Sequence, residues 1–520
     1  MHINTPGKRG EDMEHMGVIS LIPPIIAIVL AIIFRNVIVS LFTGIFVGLL
    51  MLTNGNPITA TTSTIRDYLF PQLTDSYNAA VIVLLCFIGG FVALVERSGG
   101  GAALATRTVK WINTKAKTQL SAWFGGIIIF FSDMGTPLIV GPVFEKLFDK
   151  VKVSREKLAW ILDSTSSPVA ILIPFIGWGI YIMGIMKEEF DRLSIASSEF
   201  TTFVQAIPFQ FYAILSVIIV PIVALTKMDF GAMAKAEKRV QQTGQIYWQR
   251  SKPLRKADVT EESLPASHPM LIWLPLAVLF ITLFSLLIAY GFPVKSVPGS
   301  DFRVALSTAY LFAAVTLMIL MVSFKVKKIN AILDIYLKGM QRMVQVILIL
   351  VLAWALGSLL GEMGTAAYIV EQLDGNVPGN MVPAIIFLAA ASMSFATGSS
   401  WGTFAIMLPL AIPMADGLDA PMLVSIGAVL SGGLFGDHCS PISDSTILAS
   451  TGAGCDHIDH VKTQLPYALT NGLIALVSFI IAGFTESHWT VLISVALMVM
   501  IFVVFSRIKG AVIPLNEEIE

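Results

Sequence analysis

Gly436-Asp437-His438-Cys439-Ser440-Pro441-Ile442-Ser443-Asp444 cuts through the middle of an apolar run that extends from Met422 to Thr451. Proline has no N–H to give and crowds the preceding turn, so a helix entering this stretch stops there. An earlier run, Leu158 to Met186, is cut in the same way at Asp163-Ser164-Thr165-Ser166-Ser167-Pro168. Each cut carries an Asp followed shortly by Ser-Pro. Unwound polar backbone is tolerated at membrane depth only where protein or a water-filled cavity satisfies it. Two such interruptions in corresponding places predict an inverted-repeat transporter with its site at the breaks.

Outward from each break the pattern continues. Before the first lies an apolar stretch, Thr118 to Phe148, interrupted at Phe131-Ser132-Asp133-Met134-Gly135-Thr136-Pro137. Before the second lies Val382 to Met414, interrupted at Phe395-Ala396-Thr397-Gly398-Ser399-Ser400-Trp401-Gly402. Lys and Arg mark cytoplasmic loops. The basic stretches are Arg97 to Lys117 (with Arg107 and Lys110), Lys227 to Lys256 (with Arg250, Lys252 and Arg255) and Lys325 to Arg342. Both ends of 118–148 are basic, whereas 382–414 has no Lys or Arg at either end. The first therefore reads as a re-entrant hairpin from the cytoplasmic side, the second as one from the outside.

The rest of the chain fits a lipid solvent. Of 520 residues, 55% are hydrophobic and 13% charged, about half the charge of a soluble domain. Val18 to Phe34, Val37 to Leu52, Phe203 to Leu225, Leu271 to Tyr290, Val304 to Phe324 and Val491 to Phe505 are close to the roughly 20 residues a spanning helix needs. The expected fold is an all-α polytopic membrane protein with two inverted repeats, about 11 transmembrane helices, two re-entrant hairpins and two broken helices. The expected division is 1–77, a tail and two peripheral helices; 78–226, the first repeat, with hairpin 118–148 and broken helix 158–186; and 227–269, a cytoplasmic linker. Scaffold helices follow at 270–342, then the second repeat at 343–484 with hairpin 382–414 and broken helix 422–451, and a last span and tail at 485–520. The N-terminus is placed outside and the C-terminus inside.

The breaks supply oxygen. Asp133, Asp163, Asp437 and Asp444 bring carboxylates, and Thr136, Ser164, Ser167, Thr397, Ser399, Ser400, Thr403, Ser440, Ser443 and Thr446 bring hydroxyls. A hard cation seeks such ligands, so Na⁺ is expected at Asp437, Asp444 and Asp133. Asp163 and Asp437 have a plain alternative as helix N-caps. His438 is suited to proton exchange or to fixing the break. Glu96, Glu145 and Glu362 read as solvated span ends. Trp401 reads equally as a pocket wall or as packing, and Trp354 reads as packing. Cys455-Asp456-His457-Ile458-Asp459-His460 has metal-binding residue types in a spacing that matches no standard zinc pattern.

The stretch Gly436 to Leu448, continued through Gly452-Ala453-Gly454-Cys455-Asp456-His457-Ile458-Asp459-His460 to Gln464-Leu465-Pro466-Tyr467, resembles the NhaC-type Na⁺/H⁺ antiporter family. Thr397 to Thr403, Ser154 to Leu158 and Asp163-Ser164-Thr165 resemble it too, and the likeness runs from about Val81 to Ala482. It implies an ion-coupled carrier working by alternating access, of a group in which elevator motion is common. It also implies a range of cargo: Na⁺ and H⁺, malate and lactate, or methionine, tyrosine and lysine. The first hairpin departs from the family pattern. Two consecutive acidic residues followed by Tyr and Asn are expected there, and Ser132-Asp133-Met134-Gly135-Thr136 stands instead.

The resulting expectation is Na⁺/H⁺ antiport in a bacterial or archaeal inner membrane. The alternative is Na⁺-coupled movement of an amino acid or small carboxylate. Na⁺ and H⁺ serve as coupling ions, no cofactor is called for, and a homodimer is the expected assembly. No Walker motif suggests ATP as the drive, and no basic tract suggests nucleic acid. A channel has no need of paired inverted half-helices, and no nucleophile–base arrangement suggests an enzyme.

Overall fold

The computed structural model describes residues 15–101, 103, 114–248, 267–292, 297–373, 375–509 and 511–512. The N-terminal tail, Arg107, Lys110, Arg250, Lys252, Arg255, Lys256 and the end of the C-terminal tail lie outside them. The described chain is helical, apart from a two-residue ladder that pairs Met228–Asp229 with Ala511–Val512.

Two peripheral helices come first, α1 (Ile22–Phe34) and α2 (Val37–Leu52), the latter capped by Asn36. Short turns lead to α3 (Ser76–Arg97). The first hairpin consists of α4 (Lys115–Ile128) and α5 (Gly135–Lys150). The first broken helix enters as α6 (Arg155–Ser164), whose N-cap Ser154 accepts from the Lys157 N–H, and leaves as α7 (Gly177–Arg192). After it come α8 (Phe211–Thr226) and a short amphipathic helix in the linker, α9 (Gly231–Thr243).

The second half runs through α10 (Met270–Ala289), α11 (Gly299–Ser323), α12 (Ile329–Arg342) and α13 (Val344–Glu362). Its hairpin is α14 (Val382–Thr397) and α15 (Ser400–Gly417). Its broken helix is α16 (Met422–Cys439) and α17 (Asp444–Ala453). The long α18 (His457–Thr485) and α19 (Thr490–Lys509) close the chain. Most of the basic stretch Lys325 to Arg342 is thus helical; Ile332 and Gly339 on α12 face inward while its charged residues stay outside.

Among the described residues eight helices are long and apolar enough to cross a membrane, and Glu199–Phe209 with Phe211–Thr226, bent by 50°, makes a further span. The shorter apolar helices Val37–Leu52 and Thr490–Val504, together with the broken first-half helix, complete the expected crossings.

Packing repeats as well as order. Helix α1 packs on α2 and α2 on α13; in the other half α10 packs on α11 and α11 on α3. Hairpin helix α4 meets α8, as α14 meets α18. The other arm crosses over: α5 lies against α17, and α15 against α7. The entering half-helices do the same, α6 meeting α18 and α16 meeting α8. Each half therefore supplies half of the other's environment, which is what an inverted repeat requires. At the α5–α17 crossing the backbones touch. A Cβ on Gly141 would stand 2.2 Å from the Gly452 carbonyl, and one on Gly452 would stand 2.2 Å from that of Pro137. Small residues permit this close approach between membrane helices.

Candidate functional site

Asp163 and Asp437 occupy equivalent places, each in the last turn of the half-helix that enters its break. Neither is an N-cap. Ser443 caps α17 by accepting from Thr446 N–H, and Ile176 precedes α7. The C-terminal end of a helix carries partial negative charge. A carboxylate there is opposed by its own helix, so two such placements call for a positive partner.

Asp163 is fully buried. Its Oδ2 accepts from Gln464 Nε2 at 2.6 Å and from Thr446 Oγ1 at 3.3 Å. His460 Nε2 lies 3.4 Å from the same oxygen, and His438 Nε2 lies 3.6 Å from Oδ1. His438 Nε2 is also 3.2 Å from the Asp163 carbonyl, so that nitrogen is the natural donor, and Nδ1 then accepts from Tyr212 Oη at 3.3 Å. Gln464 Nε2 further donates to the His438 carbonyl at 2.9 Å. One carboxylate thus joins α6, α16, α17 and α18. Asp163 Oδ1, Ser167 Oγ, Gln464 Oε1 and both ring nitrogens of His460 are buried without a hydrogen-bond partner. Unspent polar atoms at such depth are costly and make this cluster a functional candidate.

Asp437 has different company. It is buried and faces Ser400 and Ser443, with Asp444 and Asp163 as charged neighbours. Ser400 Oγ donates to the Gly433 carbonyl at 3.2 Å, which ties the second hairpin to α16. Ser399 caps α15 by accepting from Gly402 N–H, and Thr403 and Thr397 each donate to their own helix backbone. Their oxygens keep lone pairs for a cation. Gly398 takes a left-handed conformation (φ 67°) at the hairpin tip, where a Cβ would stand 2.8 Å from Ile442 Cγ1. The tip therefore sits directly on the second break. Ser440 and Ser443 are buried there, and Asp444 is exposed.

Asp133 joins another set. It is half-buried and faces Trp178 and Glu96. Glu96 accepts from Ser132 Oγ at 2.7 Å and pairs with Arg342 at 2.9 Å, so this span end is bound rather than solvated. Thr136 donates to the carbonyls of Ile129 and Ser132, both at 2.8 Å. Ser164 is buried in the first break. The structure accordingly brings Asp437 together with Asp444, and Asp163 with His438 and Thr446, while Asp133 belongs to the first hairpin's tip. Trp354 is buried and donates to the Gly184 carbonyl, as packing requires.

Sequence reasoning missed His460, Gln464, Tyr212 and Trp178. His460 and Gln464 lie on α18 one turn apart, a spacing that puts them on one face. Two polar residues at that spacing on a span were an available signal. Among the described residues no three His, Cys, Asp or Glu are grouped to hold a metal ion.

The fold and the paired breaks define an inverted-repeat secondary transporter of the membrane. A family model described as the Na⁺/H⁺ antiporter family matches residues 11–188 and 169–484, and the chain belongs to that family. An uncharacterised protein of Haemophilus influenzae is 33% identical over 508 residues, 94% of this chain and 95% of that one. The Malate-2H(+)/Na(+)-lactate antiporter of Bacillus subtilis is 40% identical over 106 residues, 20% of this chain and 23% of that one. The crystal structure of the YdaH transporter of Alcanivorax borkumensis, said to have an unusual topology, shares the fold. Its TM-score is 0.53 at 16% identity, over 80% of this chain and 88% of that one.

Proposed function

We propose that the protein exchanges Na⁺ for H⁺ by alternating access, with Asp163 at the centre of the exchange. The carrying observation is the fully buried Asp163 carboxylate, which lies at a helix C-terminus between His438 and His460 and keeps Oδ1 unpartnered. Na⁺ prefers oxygen ligands. Asp163 Oδ1, Gln464 Oε1 and the hydroxyls of Ser167 and Thr446 offer them from both halves. Imidazoles take up and release protons in the physiological range. When His460 or His438 carries the proton, the carboxylate has its counter-charge. When Na⁺ arrives, the same carboxylate is neutralised and the imidazolium proton is released. Only one positive charge is held at a time, which is the condition for exchange rather than co-transport. Asp437, with Ser400, Ser440, Ser443 and Asp444, forms a hydroxyl-rich approach on the second break.

The inverted packing supports motion of the hairpins and broken helices as a body against α1–α3 and α10–α13. A scaffold that holds a moving body of this kind corresponds to an elevator.

The test is transport in proteoliposomes enclosing a pH-sensitive dye. Na⁺ alone is expected to collapse an imposed pH gradient, and Asp163→Asn to stop this. If Na⁺ alone has no effect while an amino acid or malate accumulates in a Na⁺-dependent manner, the exchange reading fails and coupled solute transport replaces it. That second reading draws on the relative named as a malate–lactate antiporter and on the altered first hairpin.

A further inference from the structure

The tips of the two hairpins are linked by one indole. Trp178, in the first turn of α7, is 4% exposed. Its Nε1 faces the Asp133 carboxyl of the first hairpin without closing a hydrogen bond of normal geometry. Its ring lies 4.9 Å from that of Trp401, at the second hairpin's tip. Tyr181, one turn further along α7, packs edge-on against Trp401 at 4.7 Å and donates to its carbonyl at 2.9 Å. The aromatic group is thus fixed from both sides, while Asp133 and Trp401 remain half-buried.

The charges here are unbalanced. Glu96 is neutralised by Arg342. Asp133 has Glu96 as its charged neighbour, and none of the described Lys or Arg residues pairs with it. An anion would meet the Asp133 carboxylate, which has no cationic partner among the described residues, and would be repelled. A bare Na⁺ would find one carboxylate and ring faces in place of the several oxygens it needs. An ammonium group with an apolar body suits the site. The carboxylate takes its charge, and the Trp178 and Trp401 rings attract a cation and cover its hydrocarbon.

We propose that Asp133, Trp178 and Trp401 form a binding site for the ammonium group of a small organic cation, separate from the cation site at Asp163. The site lies where both hairpin tips meet a broken helix, so its occupant would bridge the two halves. It adds a ligand to the exchange reading and does not depend on it.

The test is tryptophan fluorescence of the purified full-length protein in detergent. It is titrated with ethylammonium chloride and with potassium propionate at constant ionic strength set by KCl. Ethylammonium is expected to give a saturable change and propionate none. Asp133→Asn and Trp401→Leu should each weaken the response about tenfold, and Trp401→Phe, which keeps a ring face, should retain it. Size-exclusion profiles and thermal unfolding establish that the variants are folded. Asp163→Asn should still respond to ethylammonium although it no longer exchanges Na⁺ for H⁺, so failure of either reading shows separately. A flat wild-type titration, an equal response to propionate, or an unchanged response in folded Asp133→Asn overturns the proposal.

Discussion

The two broken helices correspond in order and differ in chemistry. In each, a half-helix enters with an Asp in its last turn, a Ser-Pro step follows, and a hairpin from the same half packs against it. Around Asp163 the partners are two imidazoles, a carboxamide and a threonine. Around Asp437 they are serines. Repetition of the fold has therefore not repeated the site. The backbone supplies two helix C-termini directed into the breaks; the side chains set two imidazoles beside one carboxylate and hydroxyls beside the other. On the proposed reading Na⁺ and H⁺ compete at Asp163, the carboxylate that has the imidazoles, and Asp437 lies on the ion's approach.

The largest test of that difference is Asp163→Asn. It removes the negative charge from between two imidazoles, and exchange should fall by more than about 100-fold, as loss of one member of a buried charge cluster suggests. The matching Asp437→Asn should leave exchange measurable. If the two variants are equally inactive, the breaks share the cation and the contrast fails. His460→Gln comes next. It keeps a polar side chain beside Asp163 and removes an imidazole that the proposed exchange uses to carry the proton. Exchange should become flatter with pH while Na⁺ still binds. A pH profile that keeps the wild-type shape would assign the proton elsewhere. Third is Asp437→Asn examined alone. The external Na⁺ needed for half-maximal exchange should rise about tenfold, the low end of what groups supporting a bound metal contribute. An unchanged Na⁺ requirement would remove Asp437 from the ion's path.

Much of the equivalence was legible in the sequence, and little of the difference was. Proline, glycine and clustered hydroxyls in apolar runs mark breaks by local physics, so Asp163-Ser164-Thr165-Ser166-Ser167-Pro168 and Gly436 to Asp444 could be matched by eye. Charge asymmetry at the ends of 118–148 and 382–414 led to the expectation that the hairpins enter from opposite sides. The partners of Asp163 were a different matter. Gln464 is separated from it by 301 positions, and only the packing of α18 on α6 brings them together. His460 belonged to a stretch with metal-like composition, and that local reading hid its long-range one. Trp178 looked like any aromatic residue in a span, because nothing local shows which tip an indole faces. Secondary structure is written in short-range pattern, whereas a site shared between inverted halves is set by contacts between distant segments.

The two broken helices differ once more, at their outer ends, and the smallest predicted effect lies there. Helix α6 begins in a buried ionic cluster to which α9 of the linker contributes. Lys157 pairs with Asp229 at 2.5 Å, Glu156 takes both arms of Arg239 at 2.8 and 3.0 Å, and Glu237 accepts from the Ser154 N–H at 2.9 Å. Helix α16 begins at Pro421 with no side-chain cap. Glu237 lies outside the apolar spans. Burial, aided by Asp229 and opposed by Lys157, raises its pKa above the usual carboxylate value of 4.5. A group raised on folding contributes fully below its unfolded pKa and loses that contribution as pH rises through the folded value. Ionising Glu237 should therefore loosen the clasp as the pH climbs above about 4.5. Glu237→Gln keeps an oxygen for Ser154 and cannot ionise. In detergent its unfolding temperature should exceed that of the wild type by a few degrees at pH 8, and the gap should close toward pH 4.5. A deficit of the same size at both pH values would show that the carboxylate is needed as an anion, and that Lys157 rather than burial governs this end of α6.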